Sequence, residues 1–208
     1  MRKGNFYAQF ETDKHIAEFF DEGYVGTCIE VGACDGIFVS NTLHFEQKGW
    51  TCICIEPNKA YYDQLVKNRK ITARFACGET NEDNVDFSIF DLGGNQSAIS
   101  SLVVDERLVS SHKHLIKNSF TEKVNIRTLD SICEQFEIIS NIDFVSIDTE
   151  GTEIDVLKGF DLNKWKPKLL VIENNFEDPN ITEYLKDFRY NKIKRIGVND
   201  FYSISIVQ

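Results

Sequence analysis

Short apolar runs alternate along this chain with longer segments in which apolar residues recur every three or four positions. The first pattern is typical of buried parallel strands, and the second is typical of helices that cover a sheet. Strands are predicted at the run before Gly32, the run before Glu56, and at 71–77, 85–90, 124–128, 143–147, 169–172, 192–196 and 201–206. Helices are predicted at 13–22, 40–48, 59–67, 129–136, 152–158 and 181–188, with a weaker helical pattern at 103–117.

This alternation of strand and helix predicts the α/β fold class, as a doubly wound, mostly parallel sheet that ends in an antiparallel hairpin. No linker or repeat interrupts the pattern, so we expect one domain over 1–208. Residues 1–23 are predicted to form an N-terminal helical cap. Residues 91–123 lack a core pattern, and such stretches in compact domains often form lids or binding loops.

The loop after the first predicted strand contains two glycines, Gly32 and Gly36, in the pattern Gly-x-x-x-Gly. Glycine adopts backbone angles that are closed to other residues, and it lets a ligand approach the main chain. We also expect Gly36 to let the next helix pack closely against the first strand. The dinucleotide fingerprint has a second glycine where this chain has Cys34. An ordinary glycine turn between a strand and a helix explains the loop equally well.

A carboxylate at the end of the second predicted strand favours the ligand-binding interpretation. Glu56 follows Gly36 by about 20 residues, the distance at which nucleotide-binding βαβ units place the acidic residue that binds ribose hydroxyls. Pro57 directs the chain after it, and Asn58 is placed to cap the next helix. The two signals together predict a nucleoside site. The single-glycine loop suits an adenosine without a pyrophosphate better than it suits NAD.

Composition narrows the class of protein. The 208 residues are 42% hydrophobic and 27% charged, which is ordinary for a globular domain. A formal charge of −10 argues against a surface that follows nucleic-acid phosphates. No apolar stretch is long enough to span a bilayer, and the first residues lack a signal sequence, so we expect no membrane partner and a cytoplasmic location.

The six cysteines do not form a recognisable metal or disulfide pattern. There is no Cys-x-x-Cys pair, and the four histidines keep no ligand spacing to the cysteines. We therefore expect buried free thiols that behave as small hydrophobic side chains, in a reducing compartment.

Carboxylates recur where the predicted strands end. Ligands of doubly wound sheets bind at the carboxyl ends of the strands, and Asp148, Glu150 and Glu173 join Glu30 and Glu56 there. Acidic residues also stabilise the first turns of helices, so capping alone remains an alternative reading, above all for Glu150.

The sequence resembles the FkbM family of S-adenosylmethionine-dependent methyltransferases. The residues that carry the resemblance are Ile29–Gly36, Ile55–Asn58, Arg127–Asp130, Val145–Glu153, Leu157–Gly159 and Ile172–Asn174. It implies the Rossmann-like class I methyltransferase fold with a seven-stranded sheet. It also implies S-adenosylmethionine as cofactor and, most often, O-methylation of a hydroxyl on a sugar, glycan or small natural product. The insert 91–123 is then expected on the acceptor side.

The resemblance assigns roles to particular residues. Five residues would contact the amino-acid end of the donor: Glu30, Gly32, Ala33, Asp35 and Gly36. Glu56 would bind the ribose, Pro57 and Asn58 would flank the adenine, and Cys77 with Gly78 would reach the adenine edge. Asp148 would lie beside the methionine portion and face the acceptor.

A hydroxyl acceptor needs a base, and no histidine follows a predicted strand end. The candidates are therefore carboxylates, Asp148 and Glu150 with Glu173 nearby, and closeness between two of them would raise one pKa. Alternatively, Asp148, Glu173 and Asn174 resemble the Mg²⁺ ligands of catechol-type O-methyltransferases, since oxygen donors suit that ion. That family has a lysine where this chain has Gly151.

Two other function classes remain open at this point. A nicotinamide-dependent oxidoreductase is disfavoured because Cys34 replaces the second glycine of the fingerprint. A non-catalytic nucleoside-binding module is disfavoured because Asp148 and Glu150 supply a base. The identity of the acceptor and the oligomeric state are not encoded in any motif that we recognise.

Overall fold

The structure is a computed structural model that describes residues 5–93, 98–138 and 141–204. Its strands are β1 (Thr27–Val31), β2 (Thr51–Ile55), β3 (Ile71–Ala73), β4 (Ala76–Cys77), β5 (Glu82–Asp91), β6 (Ala98–Ser101), β7 (Asn118–Arg127), β8 (Phe144–Ile147), β9 (Leu169–Glu173), β10 (Tyr190–Ile196) and β11 (Asn199–Ile204). Its α-helices are α1 (Thr12–Ala17), α2 (Leu43–Gln47), α3 (Lys59–Asn68), α4 (Glu106–His112), α5 (Leu129–Gln135), α6 (Glu153–Lys158), α7 (Leu162–Trp165) and α8 (Pro179–Lys186). A short 3₁₀ helix, Gln9–Glu11, precedes α1.

The main sheet has seven strands in the order β10-β11-β9-β8-β1-β2-β3. Strands β3, β2, β1, β8 and β9 are parallel, whereas β11 pairs antiparallel with both β9 and β10. This is the class I methyltransferase arrangement, so the predicted fold class and its C-terminal antiparallel hairpin are confirmed. The strand order reverses between β1 and β8, and ligands of doubly wound sheets bind at such a switch point.

Alternate residues of the central strands face two different cores. Ile29 of β1 and Ile53 of β2 belong to the larger core, with apolar side chains of α5, α6 and α8. Cys28 and Cys52 belong to the opposite core, which includes aromatic residues and Ile16 of α1. Both faces of the sheet are therefore covered, which explains why the strands read as continuous apolar runs.

A second sheet of four strands, in the order β4-β7-β5-β6, was not predicted from the sequence. The predicted strand 71–77 is wrong as one element, because it is divided between the two sheets. β3 ends at Ala73, opposite Ile55, where its partner β2 also ends. After two residues the chain resumes as β4, which pairs with Ile126 and Arg127 of β7.

The segment 91–123 is more regular than the sequence suggested. It contains β6, α4 and the first part of β7, and β7 pairs with β5 along most of their length. Helix α4 covers 106–112 only, so the weak helical pattern at 103–117 was too long.

Three other helix boundaries also differ from the prediction. α1 ends at Ala17 instead of residue 22, because the chain continues with i→i−3 bonds from Phe19 and Phe20. α2 begins at Leu43 instead of residue 40. α8 begins at Pro179 instead of residue 181, because the proline ring favours the first helical turn, and its N-cap residue is Asp178.

All six cysteines are free thiols, as predicted. Five of them are buried, whereas Cys34 is partly exposed in the glycine loop. No helix in the described part of the chain is both long and apolar enough to cross a membrane.

Candidate functional site

The glycine loop begins where β1 ends and is held against two neighbouring strands. The backbone N–H groups of Gly32 and Ala33 both donate to the carbonyl of Ile55, at 3.0 Å each. Gly32 has a φ of 82°, and a Cβ at this position would collide with the carbonyl oxygen of Asp148. Only glycine combines that backbone angle with such a close approach. The loop therefore stays directly beside the end of β8.

Glu30, predicted to contact the donor, points into the protein beneath this loop. Its carboxylate accepts hydrogen bonds from the Asn41 backbone and from the hydroxyls of Ser40 and Thr42, and it pairs with Arg69. The side chain is 3% exposed. Its role in this arrangement is to hold residues 40–42, which also explains why α2 starts late.

Arg69 is the cation at the centre of this network, and no motif in the sequence indicated it. Its guanidinium donates to Glu46 (3.1 Å), to the Gly36 carbonyl (3.2 Å), to Ser40 (3.1 Å) and to Thr42 (2.8 Å). The side chain is fully buried. Arg69 therefore links the end of α3 to both ends of the segment 36–42.

Gly36 packs against α3, and not against the helix that follows it as expected. A Cβ there would meet Leu65 and the Arg69 side chain, and the φ of Gly36 is 81°. Asp35 also lies away from open space, and its Oδ1 accepts from the backbone N–H groups of Ile37 (2.9 Å) and Phe38 (2.7 Å).

The first cavity lies at the carboxyl ends of β1, β2 and β8. It holds about 850 Å³ of space, counting its open mouth. Predicted residues on its wall are Gly32, Glu56, Pro57, Cys77, Asp148 and Glu150, and Cys34 of the glycine loop lines it too. The predicted donor contacts Glu30, Ala33, Asp35, Gly36, Asn58 and Gly78 do not line it.

Glu56 is fixed at the rim of this cavity by two backbone groups. Its two carboxylate oxygens accept from the N–H of Asn58 (2.8 Å) and the N–H of Cys34 (2.9 Å). Burial raises the pKa of Glu56 to about 8, although both backbone hydrogen bonds act in the opposite direction. Asn58 caps α3 as predicted, since its side chain accepts from Ala60.

Gly78, which was expected at the adenine edge, contacts protein on both sides. A Cβ on it would meet Ile126, and its carbonyl leaves no room for a side chain at Gly159. The apolar wall of the cavity is made instead by side chains that sequence reasoning missed. Tyr61, Phe75, Phe87 and Leu102 supply it, three of them from the second sheet or its flanks.

Three carboxyl groups meet where β8 and β9 end. Ligand oxygens of Asp148, Glu150 and Glu173 all lie within 4.8 Å of one another. Burial is the largest cause of a raised pKa in each: about 6 for Asp148, about 8 for Glu150, and well above the usual range for Glu173. A hydrogen bond between Asp148 and Glu173 lowers the first pKa and raises the second.

The predicted combination of raised pKa and close carboxylates is thus observed, but burial outweighs repulsion as the cause. Glu153 is the first residue of α6, and its Oε1 accepts from the N–H groups of Thr149 and Gly151 at 3.0 Å each, which holds the loop before the helix. Glu150 has a φ of 58° and no hydrogen-bond partner among the described residues. Glu150 therefore makes no capping hydrogen bond in the described part of the chain.

Asn174 does not join the cluster of Asp148, Glu150 and Glu173, although it was one of the predicted metal ligands. Its side chain donates to the Asp178 carbonyl (3.1 Å) and to Asp200 (3.2 Å), and its oxygen accepts from the Asp178 N–H (2.8 Å). Glu150 takes the place that was predicted for Asn174. Three carboxylates are hard oxygen donors that suit Mg²⁺, so the residues fit such an ion without Asn174.

A second cavity adjoins the first and shares Glu150 with it. It holds about 700 Å³ of space, counting its mouth. Its wall includes Glu173, Asn174 and Phe176 after β9, together with Arg107 of α4. The three carboxyl groups therefore lie between two spaces, each of which can hold a small molecule.

A family model described as the methyltransferase FkbM domain matches residues 30–192. The chain belongs to this family. The resemblance noted in the sequence is thereby confirmed. No curated protein sequence matches the chain.

Solved structures with this fold include the FkbM methyltransferase from Methylobacillus flagellatus KT, with a TM-score of 0.54 and 15% identity. That match covers 86% of this chain and 43% of the other, so this FkbM chain spans less than half of that protein. TrmK of M. capricolum in complex with S-adenosyl-homocysteine has a TM-score of 0.44 and 10% identity, over 94% of this chain and 70% of that one. The N-terminal domain of human METTL16 in complex with S-adenosyl-homocysteine has a TM-score of 0.43 and 12% identity, over 92% of this chain and 65% of that one.

Proposed function

We propose that this FkbM-family chain is an S-adenosylmethionine-dependent O-methyltransferase whose acceptor is a hydroxyl on a sugar, glycan or small natural product. The observation that carries the proposal is the position of Asp148 and Glu150. Both line the first cavity, and Glu150 also lines the second. Donor and acceptor can therefore occupy adjoining spaces with carboxylates at the junction.

The first cavity has the groups that the donor needs. Glu56 presents a carboxylate whose geometry is set by two backbone N–H groups, so it can accept from both ribose hydroxyls. Pro57, Cys77 and Phe75 offer an apolar wall for a purine base. Gly32 and Asp148 line the cavity side by side, where the amino-acid end of the donor would lie.

When bound, S-adenosylmethionine supplies a methyl group on a positively charged sulfur, and transfer of that methyl to an oxygen releases the hydroxyl proton. Asp148 and Glu150 lie where that proton must go. The pKa of about 6 for Asp148 keeps it largely ionised at neutral pH and close to the value that suits a general base. Holding the hydroxyl in line contributes further, up to ~7–11 kcal/mol in well-oriented systems.

The residues favour this function over a nicotinamide-dependent oxidoreductase and over a non-catalytic nucleoside-binding module. Cys34 has a side chain and a φ of 50° where the dinucleotide fingerprint has glycine, so a pyrophosphate meets a Cβ at the loop. A binding module needs no carboxyl group with a raised pKa between two cavities, whereas perturbed carboxyl groups in clefts are typical of catalytic sites. Residues 91–123 contribute Arg107 to the second cavity, which supports an acceptor-side role, and they also contribute Ser100 and Leu102 to the first cavity, where the donor would lie.

Above pH 8, where Glu56 is ionised, Glu56→Ala should weaken S-adenosylmethionine binding by ~1.5–3 kcal/mol, because charge-assisted hydrogen bonds to the ribose are lost. Isothermal titration calorimetry measures this directly. The matched control is Glu134→Ala, which removes an exposed carboxylate on α5 that lines neither cavity. Equal donor affinity in wild type and Glu56→Ala would remove Glu56 from the donor site.

The free energy of unfolding should fall as pH rises from about 5 to about 8 in the absence of donor. Glu150 has a pKa of about 8 in the folded chain and 4.5 as its ordinary value. Its contribution is thus fully present below the ordinary value and is lost as pH rises through the folded value. One such group gives a slope of at most ~1.4 kcal/mol per pH unit.

Urea unfolding at a series of pH values tests this dependence. Glu150→Gln should show a shallower decline than wild type, because its amide cannot take up the proton. Glu134→Gln, at an exposed position, serves as the matched control. Parallel curves for wild type and Glu150→Gln would show that Glu150 is not protonated on folding.

A further inference from the structure

Strand β7 carries a carboxylate on a face that is otherwise apolar. Val124 and Ile126 of β7 are buried in a small core with Phe87 of β5, and Glu122 precedes them at the alternate position of the same face. Glu122 also lies directly opposite Phe87 in the pairing of the two strands. Its side chain is 22% exposed and lines neither cavity. A half-buried carboxylate needs partners, and those of Glu122 lie outside the second sheet.

Glu122 reaches the beginning of helix α3. Its Oε1 accepts from the backbone N–H of Lys59 at 2.9 Å, and its Oε2 lies 3.5 Å from the Arg74 guanidinium. The first N–H groups of a helix have no partner within the helix, and a negative charge is favourable beside them. The Asn58 side chain satisfies the next N–H group, that of Ala60. A residue of the second sheet therefore completes a cap that a local residue begins.

Arg74 extends this link to the turn that follows Glu56. The Arg74 Nε donates to the Pro57 carbonyl at 3.3 Å. Pro57 lines the first cavity, and so does Tyr61 in the first turn of α3. The wall formed by Pro57 and Tyr61 is thus held from outside the cavity at two backbone groups, the Pro57 carbonyl and the Lys59 N–H.

We propose that Glu122 is a positioning residue for the donor, because it fixes the wall formed by Pro57 and Tyr61 beside the adenosine part. This inference rests on the proposed methyltransferase function, and it gives the second sheet a part in donor binding. Glu122 does not line the cavity, so it acts through the Lys59 N–H and through Arg74. A wall that is already in place when the donor binds lowers the cost of ordering it.

Calorimetric titration of S-adenosyl-homocysteine into the full chain tests the proposal. At about pH 9, Glu56 is ionised in wild type and variants alike, because its pKa is about 8. Glu122→Ala should weaken binding by about 3–30-fold, the range for residues that act on a ligand without touching it. Glu122→Gln should recover most of this loss, because its amide oxygen can still accept from Lys59. The matched control is Asp86→Ala, which removes an exposed carboxylate of β5 that lines neither cavity.

A second pair of variants changes the donor of the same hydrogen bond. Proline is tolerated at the first position of a helix, so Lys59→Pro removes the N–H while α3 can still form. Lys59→Ala keeps the N–H and removes only an exposed side chain. Lys59→Pro should weaken binding as Glu122→Ala does, and Lys59→Ala should not. The double variant with Lys59→Pro and Glu122→Ala should bind no more weakly than either single variant, because both remove one hydrogen bond.

5′-Methylthioadenosine, which has the base and the ribose without the amino-acid end, locates the effect. Its affinity should fall in Glu122→Ala by the same factor as that of S-adenosyl-homocysteine, and urea unfolding checks that each variant is folded. Wild-type affinity in Glu122→Ala, an equal loss in Glu122→Gln or Asp86→Ala, or a loss confined to S-adenosyl-homocysteine overturns the positioning role. Absence of S-adenosyl-homocysteine binding in wild type would contradict the proposed function and this inference together. Normal binding in both wild type and Glu122→Ala contradicts this inference alone.

Discussion

Asp148→Asn should lower the turnover number by ~10²–10⁴-fold, the usual scale for a lost general base, while donor affinity changes little. The substitution keeps the size of the side chain and removes its charge. Asp148 follows β8, which lies between β1 and β9, and its backbone N–H donates to the Val31 carbonyl at 3.1 Å. A catalytic group needs such a rigid support to be placed accurately.

Single-turnover kinetics measures the rate of methyl transfer, and calorimetry measures donor affinity. Together they separate an effect on catalysis from an effect on binding. A variant that binds donor normally and methylates its acceptor at the wild-type rate would show that Asp148 is structural. Glu150→Gln is the informative companion, since Glu150 lines the first cavity beside Asp148 and also lines the second. If it loses as much activity as Asp148→Asn, the pair acts as one unit with coupled protonation.

EDTA distinguishes the base from a metal ligand. We expect activity to be indifferent to EDTA, because Asp148 shares a hydrogen bond with Glu173 that a metal would have to displace. Loss of activity that Mg²⁺ restores would instead make Asp148, Glu150 and Glu173 the ligands. In that case Asp148→Asn should also abolish the response to Mg²⁺.

Arg69→Met should lower the free energy of unfolding by ~3–5 kcal/mol, the range for removing one partner of a buried ion pair. Methionine preserves much of the volume, but it leaves Glu30 and Glu46 buried without their cation. The Gly36 carbonyl and the Thr42 hydroxyl lose their donors as well. Urea unfolding at neutral pH measures the change.

Arg74→Met is the matched control for this experiment. Arg74 is partly exposed and pairs with Glu122 at 3.5 Å, so its loss should cost less than ~1 kcal/mol. Equal destabilisation by the two substitutions would mean that the buried network around Arg69 contributes nothing beyond a surface pair. Because Arg69 also holds the segment 36–42, which walls the first cavity through Phe38 and Val39, its loss should weaken donor binding too.

Local sequence pattern was enough to predict the main sheet and the strand ends that form the site. An apolar run that stops at a glycine or a carboxylate is typical of a buried parallel strand, because a strand buried on both faces must be apolar throughout. Glu56 and Asp148 therefore lie where they were predicted, at the edge of the first cavity. Glu56 also contacts the glycine loop in the structure, because its carboxyl group accepts from the backbone N–H of Cys34.

Motif membership did not predict which way each side chain points. Glu30 and Asp35 belong to the glycine-loop motif, yet both turn inward to hold backbone and side-chain donors of the loop. Asn174 follows a strand end as a metal ligand would, but Asp178 and Asp200 occupy its amide. A buried polar group must find partners, and the nearest partners come from residues far away in the sequence.

By itself, the sequence determined the class I fold, the family and the edge of the sheet that holds the site, because these follow from local periodicity and short motifs. Three features became visible only in the tertiary structure. They are the second sheet, the network around Arg69, and the carboxylate cluster in which Glu150, and not Asn174, joins Asp148 and Glu173. Each depends on long-range pairing: β4 with β7, Arg69 with Glu30, and the end of β8 with the end of β9. Contacts of that kind are set by how the elements pack, and a linear pattern of apolar and polar residues does not record them.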